Sequence, residues 1–168
     1  MVLVREVTTD DWQRLREIRL AALREAPYAF GSTYAREAAF TEERWRGRIN
    51  QRSVTFFACA GDLAGDLAGT DAGVPAGLAG VFVEDGQPDL VSMWVRPSAR
   101  GLGAAQALIE AAAAWAKARD FPALRLWVTE TNWPARRLYE RCGFALTGET
   151  QPLPSDATLT EVRMSRAL

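Results

Sequence analysis

A chain of 168 residues, 48% of them hydrophobic, suffices for one domain with a buried core. Its charge nearly cancels, 20 basic against 21 acidic residues, with no basic stripe and no acidic tail, which argues against nucleic acids and polycations as partners. Histidine is absent, so Ser-His and Cys-His pairs and histidine-ligated metals are excluded, and no apolar run is long enough to span a membrane.

Residues 2–7 read as a first strand, and the start MVLVREV lacks the charged and apolar regions of a signal peptide. Thr8 with Asp11 fits a capping box, after which Trp12, Leu15, Ile18 and Ala22 share one face of a helix ending before Pro27. The segment Pro27-Tyr28-Ala29-Phe30-Gly31-Ser32-Thr33-Tyr34 is aromatic and turn-rich. Thr41 caps the next helix, with Phe40 and Trp45 spaced for a hydrophobic staple. Residues 53–60 form a strand. Residues 61–77 contain a small duplication, GDLAGDLAG, expected as a long hairpin connection. Residues 78–83 return as a strand and Glu84-Asp85-Gly86 turn.

The stretch LVSMWVRPSARGLGAAQAL, residues 90–108, organises the rest. Leu90, Val91, Met93, Trp94 and Val95 make a nearly continuous apolar run, as in a strand covered on both faces. Pro97 stops it, and from Ala105 onward Leu108, Ile109, Ala112 and Ala116 recur at helical spacing. A strand, a glycine turn and a helix N-terminus can hold an anion, because the first helical N–H groups lack partners and the dipole favours negative charge. Gly101 and Gly103 let a ligand approach the backbone, and Arg100 offers a forked donor. The same residues also fit a tight turn beside a solvated arginine. Neither a Walker loop nor a dinucleotide fingerprint fits: the first lacks its Gly-Lys, and Gln106 stands where the second needs glycine.

Further on, Asp120-Phe121-Pro122 turns into a strand over residues 124–128, Asn132 opens a short helix, and Gly143 ends it. Residues 144–149 and 158–164 are expected as a last strand pair across the turn 151–154.

Arg100 to Ala105 match R/Q-x-x-G-x-G/A, and Val128, Asn132, Ala135, Leu138-Tyr139 and Gly143-Phe144 match V-x-x-x-N-x-x-A-x-x-L-Y-x-x-x-G-F. Together they resemble the two signatures of the GNAT superfamily of acyl-CoA-dependent N-acetyltransferases, in the right order, over about residues 81–144. The resemblance implies one α/β domain over residues 1–168 with the GNAT fold: a mixed sheet of six to seven strands, splayed central strands and four helices. It implies acetyl-CoA as co-substrate without a metal, a small-molecule or peptide amine as acceptor, and a cytoplasmic setting, and it allows a homodimer. Many such chains carry a stretch like residues 27–34 on the acceptor side.

By the same resemblance, Met93, Trp94 and Val95 present backbone to the pantetheine arm, while Arg100, Gly101, Leu102, Gly103, Ala104 and Ala105 hold the diphosphate. Asn132 meets the arm, and Tyr139 stands near the thioester sulfur as general acid. Asn132 and Tyr139 are two helical turns apart on one face, so both can reach one ligand. Arg136 shares that face. The amine's proton would go to Glu130, to Glu84 or to water, with Ser92, Asp89 and Cys142 as weaker choices. The competing reading is a catalytically silent acyl-CoA-binding module.

Overall fold

The computed structural model describes residues 2–60 and 75–168. The connection expected over residues 61–77 therefore lies largely outside the described residues. One seven-stranded mixed sheet runs β1-β2-β3-β4-β5-β7-β6. Its strands are β1 (Val2–Glu6), β2 (Ser53–Ala60), β3 (Gly77–Glu84), β4 (Gln87–Val95), β5 (Ala123–Thr129), β6 (Ala145–Leu153) and β7 (Asp156–Ala167). Neighbours pair antiparallel except β4 with β5, which run parallel.

Alternation along the strands sends side chains to two cores, one on each face. Phe56 packs beneath α4 (Ala104–Lys117), whose Leu108, Ile109 and Ala112 are fully buried. Phe57, its neighbour, faces the opposite core beneath α1 (Trp12–Glu25), with Leu15, Ile18 and Leu23. The first core also receives α5 (Trp133–Arg141) through Tyr139, whose ring meets Phe144 edge-on at 5.8 Å. Phe144 N–H reaches Tyr139 C=O and Gly143 N–H reaches Glu140 C=O, both at 3.0 Å, with Gly143 at φ +87°. This Schellman ending needs a left-handed residue, which glycine adopts without cost.

The expected caps form. Thr8 N–H donates to Asp11 Oδ2 at 2.9 Å, and Arg44 N–H to Thr41 Oγ1 at 3.3 Å at the head of α3 (Glu42–Gly47). Phe40 lies 5.8 Å from the fully buried Trp45 ring. One short helix exceeds the expected four, α2 (Tyr34–Ala38). It forms because Thr33 Oγ1 accepts the Arg36 N–H at 3.2 Å, a cap inside what reads as loop. The last strand pair is also longer than expected. Pro152 belongs to β6 opposite Thr160, tolerated because β6 is an edge strand and its missing N–H faces no neighbour. No helix among the described residues is long and apolar enough to cross a membrane.

Candidate active site

The site begins where β4 and β5 part. Their ladder consists of two register pairs, Asp89 with Arg125 and Leu90 with Leu126, and beyond it the strands diverge. On its other side β4 bulges: the β3 register jumps from Leu78 to Gly80 while β4 passes from Trp94 to Val91. Ser92 sits in this bulge at φ +58°, a conformation costing a non-glycine residue roughly 1–2 kcal/mol. Arg19, buried in α1, donates to Ser92 Oγ at 3.3 Å and so braces the bulge. The backbone of Met93 to Val95 is thereby left on the β5 side without a strand partner.

A cleft of about 530 Å³ opens there between α4 and α5. Met93, Trp94 and Val95 form one wall, and Arg100, Gly101, Gly103, Ala104 and Ala105 close its end. Leu102, expected with them, is 63% exposed and contributes no lining. Gly101 and Gly103 hold φ of +81° and +85°, and a Cβ on either would meet no heavy atom within 4 Å. The cradle is thus empty space bounded by backbone, and the first bond of α4, Ala107 N–H to Gly103 C=O, leaves the preceding N–H groups without helical partners. A diphosphate fits such a setting.

Arg100 is tied down in a way its motif does not reveal. Its Nε donates to Val95 C=O at 3.0 Å and its Nη2 to Glu25 Oε2 at 2.9 Å. The same oxygen accepts the Trp94 indole N–H at 2.8 Å, and these bonds lower the Glu25 pKa. Glu25 ends α1 and belongs to no motif, so only the tertiary structure reveals it. Gln106 and Arg141 also line the cleft without sequence warning.

Asn132 and Tyr139 both line it, as their spacing requires. Asn132 Oδ1 accepts the Ala135 N–H at 3.4 Å and caps α5, which leaves the amide NH₂ for a ligand. Tyr139 is buried, and its hydroxyl has no hydrogen bond to any described residue. Burial pushes its pKa well above the usual phenol range, so it stays a proton donor. Cys142 is also raised, chiefly by burial, which disfavours a nucleophilic thiolate.

The other expected residues lie elsewhere. Arg136 turns back to donate to Glu130 C=O at 2.9 Å and stacks over Trp133. Glu130 is exposed beyond β5 and lines neither this cleft nor the one described next. Glu84 pairs with Gln87 at the opposite end of β4 from the splay, too far along the sheet to serve the site. No grouping of three or more metal-ligating side chains occurs among the described residues.

A second cleft, of about 700 Å³, lies on the α1 face of the sheet. Phe82, Val91 and Trp127 give it an apolar floor, and Phe30, Gly31 and Ser32 form its lip. The chain leading into that lip is held at two points: Thr129 Oγ1 donates to Tyr28 C=O at 2.6 Å, and Ser155 Oγ to Phe30 C=O at 2.5 Å. Ala29 lines both clefts, and the consecutive residues Ser92 and Met93 line one each. The clefts therefore meet at the bulge. In the second, Glu37 is buried, and Arg19 grips both its oxygens at 3.0 Å while Arg48 reaches one at 2.8 Å. Burial raises the Glu37 pKa, but the two guanidiniums outweigh it and bring the value to about 2. Asp89 is likewise held by Arg125 at 3.0 Å and Arg163 at 2.9 Å.

Residues 12–144 match the model of the acetyltransferase (GNAT) family. A streptothricin acetyltransferase of Escherichia coli is 35% identical over 98 residues, 47% of this chain and 56% of that protein; the chain spans about half the length of this relative. A GCN5-related N-acetyltransferase from Kribbella flavida superposes with a TM-score of 0.74 at 24% identity, over 99% of this chain and 98% of the other. Nourseothricin acetyltransferase does so with 0.57 at 28%, over 70% and 66%. With both signatures placed around one cleft and the family model covering most of the sequence, the chain belongs to the acetyltransferase (GNAT) family.

Proposed function

We propose that this acetyltransferase moves an acetyl group from acetyl-CoA to a primary amine by direct attack. The observation that carries the reading is the meeting of two clefts at the Ser92–Met93 bulge. One has a glycine cradle, unpaired strand backbone and a buried phenol; the other has an apolar floor and charged walls. In this reading Arg100, Gly101, Leu102, Gly103, Ala104 and Ala105 bind the diphosphate, with Leu102 acting through its backbone. Met93, Trp94 and Val95 pair with the pantetheine arm much as a strand edge pairs with a peptide. Asn132 gives its free NH₂ to the same arm.

Acetyl-CoA supplies the activated acyl carbon. The amine nitrogen bonds to that carbon, the C–S bond breaks as the tetrahedral intermediate collapses, and the proton needed by the departing sulfur comes from Tyr139. A phenol is uphill of a thiol by about 1.5 pKa units in water, near 2 kcal/mol, and the dry setting that keeps Tyr139 protonated also makes a bare thiolate costly. Glu130, outside both clefts, serves at most as an outlet for protons through water. The test is thiol release from acetyl-CoA over a panel of amines, with calorimetric binding of acetyl-CoA beside it. Streptothricin, named by one relative, belongs in the panel. Binding without thiol release on any amine would leave a silent acyl-CoA module in place of the enzyme.

A further inference from the structure

The charged residues lining the second cleft are unevenly divided between its two sides. Its helical wall presents Arg19, Arg36, Arg44 and Arg48 against one carboxylate, Glu37. Arg19 and Arg48 are spent on Glu37, but Arg36 and Arg44 are exposed and have no carboxylate partner among the described residues. The Arg44 guanidinium rests on the Phe40 ring, 4.1 Å from its centroid. Its charge opposes that of Arg48, whose pKa is lowered by burial first and by its arginine neighbours as well. An anion entering here would relieve that crowding.

The sheet side contributes two carboxylates to the lining, Asp89 and Glu161, with Arg163 close enough to both to act on their charge. Asp89 is held by two arginines, whereas Glu161 has no ion pair. Glu161 is only 7% exposed. Its Oε1 accepts the Gln151 amide at 2.6 Å, and its Oε2 has no partner among the described residues. Register fixes its place: Glu161 sits opposite Thr129, and the Thr129 hydroxyl holds Tyr28, the residue before Ala29. Among the carboxylates lining this cleft it is the one without an ion pair, and its register partner Thr129 ties down the segment that reaches both clefts at Ala29. Burial raises its pKa, which makes it a better proton acceptor than an ordinary carboxylate.

Resting on the acetyl-transfer reading above, we infer that the acceptor is a primary amine that also carries an anionic group, carboxylate or phosphate. Its ammonium is received by Glu161 Oε2 and its anion by Arg36 and Arg44. Glu161 takes one proton from the ammonium, freeing the nitrogen lone pair. Glu161 passes that proton to water, the nitrogen attacks and gives its second proton to the same carboxylate, the sulfur departs with the proton from Tyr139, and the proton on Glu161 then returns to Tyr139 through water. Charge and protons balance: ammonium and thioester become amide, thiol and one released proton.

The experiment is a matched panel with acetyl-CoA: lysine against cadaverine, glycine against methylamine, phosphoethanolamine against ethanolamine, and spermidine, an aminoglycoside and streptothricin alone. The carboxylate and phosphate arms separate the two anions. The expected result is a kcat/KM at least about tenfold higher for one anionic member over its partner, the span of a charge-assisted contact. The R36A/R44A double variant should erase that preference through KM, with kcat and acetyl-CoA affinity within a few-fold. Glu161→Gln should lower kcat by about a hundredfold or more, the range of general-base loss. Because glutamine can still accept the Gln151 bond and removes a buried charge, the Glu161→Gln melting temperature should hold or rise, which separates proton transfer from structure.

Equal or faster turnover of cadaverine, spermidine, the aminoglycoside or streptothricin, or a preference that survives R36A/R44A, would overturn the acceptor class while leaving acetyl transfer standing. The converse is read by calorimetry on the CoA-loaded protein: anionic amines that bind, lose affinity in R36A/R44A, and never release thiol would keep the acceptor class and remove the activity. If no anionic amine binds or turns over, the inference falls.

Discussion

The two clefts flanking the bulge are built differently. The one between α4 and α5 is made of main chain, small residues and two side chains at fixed helical spacing. The one under α1, α2 and α3 sets long charged side chains from separate elements around an apolar floor. A backbone site is written as a local pattern, because glycines, a helix start and an i, i+7 pair are neighbours in sequence. A side-chain site assembled across the fold has no such signature. The first suits the part of the reaction shared by a family and the second the part that differs between its members.

The largest effect should come from the second cleft. Glu37→Gln leaves the Arg19 and Arg48 charges uncompensated around a buried position, and breaking a buried pair by removing one partner costs roughly 3–5 kcal/mol. Urea titration should show that loss directly. The same group dictates acid sensitivity. Its folded pKa of about 2 lies below its ordinary 4.5, so its stabilisation is complete above pH 4.5 and is lost as pH falls from there toward about 2. A midpoint in urea that stays flat between pH 5 and pH 3 would show that the Arg19–Glu37–Arg48 cluster does not hold the helical wall.

Next comes Tyr139. Tyr139→Phe keeps the ring against Phe144 and removes only the hydroxyl, so kcat should fall by roughly 10² with acetyl-CoA affinity within a few-fold. Unchanged kcat with a lower melting temperature would make Tyr139 a core residue. Gly103→Val tests the cradle itself. A branched side chain at φ +85° carries backbone strain, and its Cβ would stand in the open space assigned to the diphosphate. Acetyl-CoA affinity should drop more than about tenfold in a folded variant, the loss of a charge-assisted contact or more. Calorimetry showing the wild-type affinity would move the diphosphate elsewhere.

These differences explain what was legible in advance. The strands, the caps of Thr8, Thr41 and Asn132 and the Gly143 stop follow from periodicity and local chemistry, and the structure places them as expected. Helix α2 escaped because five residues carry too little periodicity, and the extent of β6 because Pro152 reads as a turn until its strand is known to be an edge. Arg136 was placed on the cofactor face by spacing, but a carbonyl six residues back captured its guanidinium. Carboxylates are the least legible of all. Glu84 and Glu130 stand beside strand ends, whereas the carboxylates lining the second cleft, Glu37, Asp89 and Glu161, owe their positions to strand pairing and helix packing. Glu25 is the same kind of case in the first cleft: 75 residues from Arg100 in sequence and 2.9 Å from it in space.

Glu25 also supplies the finest test of the contrast, because it is a side-chain element intruding on the backbone-built cleft. Its carboxylate pairs with Arg100, so a diphosphate bound at the cradle would meet that arginine with its charge already partly satisfied. It also holds Trp94 through the indole N–H, and Trp94 N–H can still be accepted by an amide oxygen. Glu25→Gln should therefore keep the Trp94 bond, free the Arg100 charge and tighten acetyl-CoA binding. The gain should be only a few-fold, since the Arg100 side chain is half exposed and such pairs are worth about 0–1 kcal/mol. It should shrink as salt is raised, because screening weakens an exposed guanidinium's pull on phosphate more than it weakens backbone N–H contacts. Titrations of both proteins at low and high ionic strength read this as a difference in slope. Weaker binding in Glu25→Gln at every salt concentration would mean that Glu25 aims Arg100 rather than competing for it, and the clasp would then be part of the binding geometry.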